Sequence, residues 1–149
     1  MPAAAEPARC GPHGRRTHHC LGAAGQEPPR QKILLCYGKS ETTTAAYGEA
    51  ALRQEHEVLT AGPCQELDLG EGASAAELCE AGGGGFDLVL CIEGENYFPA
   101  RLPDAPCPTA LWAIDYHLHA RGPDGWHLGL AALFDHVVIA QRDYLPVFR

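Results

Sequence analysis

The sequence predicts an α/β protein: a single Rossmann-like, doubly wound domain of about five parallel strands over residues 32–149, preceded by a disordered leader at 1–31. Three observations carry that reading. Five short runs, "KILLCYG", "HEVLTAGP", "FDLVLCIEG", "TALWAIDYH" and "HVVIA", are continuous in hydrophobicity rather than alternating, which is the pattern of strands buried on both faces. Segments of helical character separate most of them, as parallel pairing requires. A chain of 149 residues, 46% hydrophobic and 20% charged, also suits one domain with an ordinary core.

In chain order, residues 1–31 are rich in Pro, Gly, Ala and Arg and lack hydrophobic periodicity, so they cannot bury enough surface to offset the entropy of ordering. Within them "CGPHGRRTHHC" offers Cys10, His13, His18, His19 and Cys20, a zinc set by residue type whose spacing matches no common zinc module. The first strand is 32–38, and a helix follows over 42–55 with Ala46, Ala50, Leu52 and Arg53 near helical spacing. The second strand, 56–63, stops at Gly62-Pro63. A weaker Ala-rich helix at 73–81 leads through Gly82–Gly85, read as a flexible connector, into the third strand at 86–94. After a Pro-rich connector the fourth strand spans 109–117. Residues 126–135 read as helix, 136–140 as the fifth strand, and 141–149 as a closing helix that Pro146 interrupts or that begins near it.

Charge and cysteine usage narrow the function classes. Net charge is −8, with residues 1–30 at +2 and residues 31–149 at −10, so the body has no electrostatic footprint for a phosphate backbone and nucleic acid is not expected as a partner. Of seven Cys, five are scattered singly, and Cys36 and Cys91 lie inside apolar runs as small core residues of a reducing compartment. The N-terminus lacks the apolar stretch of a signal peptide, and no run approaches the ~18 apolar residues of a membrane span, so a soluble cytoplasmic protein is expected.

In a doubly wound sheet ligands sit at the carboxyl ends of the strands. Asp115, His117 and His119 fall at that end of the fourth strand, and alternate positions of an extended chain share a side. A carboxylate-held imidazole can take a proton from a hydroxyl nucleophile. The same three residues form a metal-ligand set by type, with His127 or His136 as a further ligand. A strand-end Asp fastening the next loop, beside two surface histidines, is the structural alternative. Glu93, Glu95, Asn96 and Tyr97 end the third strand with groups able to bond a polyhydroxylated ligand, or make an acidic turn. "YGKSETTT" contains Gly-Lys-Ser but is no Walker loop, because Ile33 stands where a glycine is needed, and no G-x-G-x-x-G is present. What remains there is Gly38 and Ser40 or Thr42 before the first helix, capping it and offering backbone N–H groups to a ligand oxygen.

These runs resemble the amino-terminal half of bacterial glycosyltransferases built from two Rossmann domains, the GT-B fold, and especially the spore-maturation-protein (CgeB-like) group. The most specific part is the pair "WAIDYH" and "FDHVVIAQRDY", and the resemblance covers residues 32–149. It implies an acceptor-side domain: Asp115 and His117 match the family's strand-end Asp and His, and Gln141, Arg142 and Asp143 match the segment that faces the cleft between the halves. It implies no resident cofactor, a sugar or glycan acceptor, and a nucleotide-sugar donor as substrate. The chain ends at Arg149, where that family continues into its donor-binding half, so the expectation is a half-site inactive alone, completed by a separate donor-domain protein. A metal-dependent hydrolase, or a non-enzymatic module that dimerises through the edge carrying Tyr144, Leu145, Val147 and Phe148, are the competing readings.

Overall fold

The computed structural model describes residues 29–38, 44–92, 97–114 and 126–140, with backbone alone at 126–128. The expected fold class is found: a five-stranded, all-parallel sheet of Rossmann-like type, with helices on both faces. Its elements are β1 (Lys32–Cys36), α1 (Thr44–Glu55), β2 (Glu57–Ala61), α2 (Ala75–Ala81), β3 (Leu88–Ile92), a 3-10 turn (Leu102–Asp104), β4 (Thr109–Ala113), α3 (Trp126–Ala131) and β5 (His136–Ile139). Strand order is β2-β1-β3-β4-β5. In register, Cys36 lies beside Ala61 on one side and Cys91 on the other, Ile92 beside Trp112, and Ala113 beside Ile139.

The continuous apolar runs divide between two cores because successive side chains of a strand point to opposite faces. Leu34, Cys36, Val89, Cys91 and Leu111 pack under α2, α3 and Phe134. Ile33, Leu35, Tyr37, Val58 and Ile92 face α1, with Leu52, Trp112 and Ile114 at its margin. The stripe that α1 buries is Ala45 and Gly48, with Leu52 partly covered; Ala46 and Ala50, expected on that face, are exposed. The correction has a steric origin. A Cβ at Gly48 would come within 2.9 Å of the Trp112 ring, so glycine marks the line of closest approach between helix and sheet.

α2 starts with a capping box, in which Ser74 N donates to Glu77 (2.8 Å) and Glu77 N donates to Ser74 Oγ (3.2 Å). The glycine run after it is a defined turn rather than a loose connector. Gly83, Gly84 and Gly85 all have positive φ, and Lys32 Nζ ties the turn down by donating to the carbonyls of Gly82 (3.1 Å) and Gly84 (2.8 Å) while standing 4.4 Å over the Phe86 ring. α3 is shorter than its apolar pattern suggests. It ends at Ala131 in a turn where Leu133 N donates to the Leu130 carbonyl (3.0 Å) and Phe134 N to the Ala131 carbonyl (3.1 Å), after which Asp135 accepts from Thr109 N (2.8 Å) and Thr109 Oγ1 (2.9 Å) and fixes the chain at the start of β4.

The outer edge of β2 is blunted. Arg53 Nη1 donates to the Val58 carbonyl (2.7 Å), Thr60 N donates to Glu66 (2.8 Å), and Leu67 N donates to the Thr60 carbonyl (2.9 Å), so the outward carbonyls of Val58 and Thr60 and the Thr60 N–H are already bonded. β5 forms the opposite edge, with Val138 54% exposed. No helix among the described residues is long and apolar enough to cross a membrane.

Candidate functional site at the carboxyl edge of the sheet

Strand order locates the ligand edge. From β1 the chain turns by way of α1 to β2 on one side, whereas from β3 it proceeds to β4 on the other, so the connections diverge between β1 and β3. In open parallel sheets such a divergence, at the carboxyl ends of the strands, is where ligands bind.

Tyr37, directly after β1, is the best-defined residue there. It is 1% exposed, its N–H donates to the Ala61 carbonyl (3.1 Å), and its carbonyl accepts from Gln65 Nε2 (3.2 Å). Its hydroxyl bonds the Glu49 carboxylate on α1, which also accepts from Arg53 Nε (2.7 Å). Arg53 in turn donates to Glu66 (2.8 Å). A chain of charge-assisted bonds thus fixes α1 against the end of β1 and the loop after β2. Burial, followed by the Glu49 bond, raises the Tyr37 phenol above its ordinary pKa.

Gly62 and Tyr97 pack beside Tyr37. Gly62 has φ +137°, and a Cβ there would stand 2.4 Å from the Tyr37 carbonyl oxygen and 2.9 Å from the Tyr97 ring. Tyr97, 8% exposed, has its phenol pushed up to about 12, chiefly by burial and then by Cys36, Cys91 and Asp68 nearby. Both phenols are therefore protonated at neutral pH, suited to hydrogen bonding and unsuited to act as bases. Cys36 and Cys91, register partners at the ends of β1 and β3, are wholly buried. The Cys36 thiol is raised by its bond to Cys91 and by burial, which makes it an inert core group rather than a nucleophile.

Of the residues expected at the site, Gly38 and Tyr97 are described, Gly38 half-buried just after Tyr37 and Tyr97 buried beside Gly62. Ser40, Thr42, Glu93, Glu95, Asn96, Asp115, His117, His119, Gln141, Arg142 and Asp143 lie outside the described residues, as do the leader's Cys10, His13, His18, His19 and Cys20 and the closing segment 141–149. The strands before them, β1 to Cys36, β3 to Ile92, β4 to Ala113 and β5 to Ile139, all run parallel and so end at one edge of the sheet.

His136 requires a correction. It was expected as a further ligand for Asp115, His117 and His119, yet it is the first residue of β5, level with Ala110 at the amino-terminal edge. The rest of β5 separates it from the carboxyl edge by about 10 Å at ~3.3 Å per residue. His127 lies in α3, and its side chain is outside the described residues. Among the described residues no three His, Cys, Asp or Glu side chains are grouped to hold a metal.

Sequence reasoning passed over Tyr37, Glu49, Gly62 and Gln65. Two signals were present: an aromatic immediately after an apolar run, and Gly-Pro at a strand end. Comparison of the chain with models of protein families, with curated proteins and with solved structures returns no match.

Proposed function

We propose that this chain is an acceptor-side, glycosyltransferase-like domain that binds a polyhydroxylated ligand at the carboxyl edge of its sheet and needs a donor-binding half to complete transfer. The observation that carries the reading is the parallel order β2-β1-β3-β4-β5. It puts the divergence between β1 and β3, and the strands that precede Ser40, Glu93, Glu95, Asn96, Asp115 and His117 in the sequence all end at the carboxyl edge. Tyr37 and Tyr97, buried and protonated, stand at that edge. Carboxylates, an amide and an imidazole are the groups that bond sugar hydroxyls and take a proton from one. Under this reading Asp115 and His117 supply the acid/base pair, Gly38, Ser40, Glu93, Glu95, Asn96 and His119 hold the acceptor, and Gln141 and Arg142 face the donor half. The resemblance of "WAIDYH" and "FDHVVIAQRDY" to the acceptor half of GT-B enzymes supports the same assignment.

Transfer requires donor and acceptor in one geometry, so the chain alone binds without turning over. Calorimetric titration with sugars, nucleoside diphosphates and nucleotide sugars tests this, alone and with a donor-domain partner. Acceptor binding lost in Asp115→Asn or His117→Ala, with the fold unchanged, is the expected result. Tight nucleotide binding by the chain alone overturns the half-site reading, and no binding under either condition overturns the site itself.

A further inference from the structure

The core under α2 is rich in sulfur. Cys36, Cys79 and Cys91 are buried in it, Cys107 packs against it, and all four are free thiols. Cys36 and Cys91 are wholly enclosed. The other two differ in reach: Cys79 is buried on α2, whereas Cys107 is half-buried and lines a surface cleft of 260 Å³ with Leu102, Thr109, Leu133 and Asp135.

Backbone pairing brings Cys79 and Cys107 together. Ala75 N donates to the Ala100 carbonyl (3.1 Å) and Ala100 N to the Ala73 carbonyl (2.8 Å), which ties the start of α2 to the connector before β4. Leu102 of that connector is buried in the same core as Leu78, and Val89 N donates to the Pro108 carbonyl (2.9 Å), so the connector runs past α2 and ends against β3. The Cys79 thiol donates a hydrogen bond to the Cys107 sulfur. Burial raises both thiols, Cys79 to about 12, while the bond from Cys79 draws Cys107 partly back. Cys107 is therefore the sulfur that is reached and ionised more readily, and Cys79 stands behind it in hydrogen-bond contact.

We infer that Cys79 and Cys107 are a peroxide-sensitive dithiol that closes into a disulfide within the folded protein, bracing α2 against the connector at the amino-terminal edge of the sheet. The Cys107 thiolate attacks one oxygen of hydrogen peroxide; the O–O bond breaks, water leaves, and Cys107 becomes a sulfenic acid. The Cys79 sulfur then attacks the Cys107 sulfur; the S–S bond forms, the S–O bond breaks, and hydroxide departs with the Cys79 proton as a second water. Two thiols are oxidised and one peroxide is reduced. Because Cys107 precedes Thr109, the first residue of β4, the bond lies at the edge opposite Tyr37 and leaves the candidate site open.

Peptide mapping of the folded full chain tests it, in a Cys64→Ser background that removes the exposed competing thiol, after excess hydrogen peroxide and alkylation of the remaining thiols. A Cys79–Cys107 linked peptide is expected, reversed by dithiothreitol, with a thermal midpoint about 5–15 °C above that of the reduced protein. Cys107→Ser should abolish both, and Cys79→Ala should leave Cys107 as a sulfenic acid that dimedone traps. Cys107 driven to sulfinic or sulfonic acid beside a free Cys79 overturns the inference, as do either thiol joined to another cysteine, linkage formed only after urea unfolding, or both left as thiols. An unchanged or lower midpoint in the linked protein overturns the brace.

Discussion

Gly62→Ala is the substitution for which the structure gives the clearest magnitude. Two separate costs arise at this position. The backbone sits at φ +137°, a conformation L side chains rarely adopt, worth about 1–3 kcal/mol. The added methyl would also meet a backbone oxygen, that of Tyr37, at 2.4 Å, and the Tyr97 ring at 2.9 Å, and neither can swing aside as the end of a flexible side chain could. Overpacking of this kind costs about 1–3 kcal/mol more. Together they destabilise by roughly 2–6 kcal/mol, a large part of the ~5–15 kcal/mol that holds a domain folded. The midpoint of thermal unfolding should fall by about 8–24 °C at ~4 °C per kcal/mol. Gly72→Ala is the internal control, since its φ of +89° carries strain while nothing lies within 4 Å of the new methyl. It should cost about 1 kcal/mol. Urea unfolding of the three proteins at equal slope measures both differences. If Gly62→Ala proves no worse than Gly72→Ala, the close approach of the chain to the Tyr37 carbonyl is not what requires glycine.

Other outcomes follow from the same geometry. Lys32→Met keeps the apolar stem but removes the donations to Gly82 and Gly84 and the charge over Phe86, and should cost about 2 kcal/mol in urea titration, with faster amide exchange in the glycine turn. Glu66→Gln should cost no more than about 1 kcal/mol, because Glu66 and its partner Arg53 are each over a third exposed and solvent-screened; a larger loss in a double-mutant cycle with Arg53→Ala would show a stronger network than the exposure allows. Acid stability has a defined sign. Burial, the largest influence on Glu66, opposes its ionisation, but bonds from Thr60 and Arg53 outweigh it and lower the pKa; bonds from Ser74 lower Glu77, and bonds from Thr109 lower Asp135. The unfolded chain therefore takes up these protons first as pH falls. Their stabilisation is complete above the ordinary carboxyl range of about 4 and is lost as pH drops through it toward the lower folded values, which a pH series of thermal midpoints would reveal. Thiol labelling of the native protein should reach exposed Cys64 ahead of Cys36, Cys91 and Cys79, whose thiol burial pushes up to about 12; peptide mapping that finds Cys79 modified first would contradict the packing.

Much of the fold was legible along the chain. "KILLC", "EVLTA", "LVLCI", "TALWA" and "HVVI" became strands because short runs of nearly continuous hydrophobicity are the pattern of a parallel sheet covered by helices on both faces. Ser74 with Glu77 marked a helix start through a purely local pair of hydrogen bonds. Faces were harder to read. Ala45, Ala46, Ala50 and Ala51 are nearly equivalent in sequence, so nothing local distinguished the buried stripe of α1, and Gly48 settled it only by meeting Trp112, 64 positions away.

The amino-acid sequence by itself determined the number of strands and their parallel pairing, since both depend on local composition and spacing, whereas the end of β4 at Ala113, ahead of Asp115 and His117 in a strand expected to reach 117, came from the structure. Only the tertiary structure decided that β1 lies between β2 and β3, which places the divergence and hence the candidate site. It alone sent His136 to the opposite edge, pinned the glycine turn with Lys32, and made Tyr37 the link between Glu49 and Gln65. These contacts join residues far apart in the chain, so they are fixed by how the strands are ordered and packed, which no single stretch of sequence encodes.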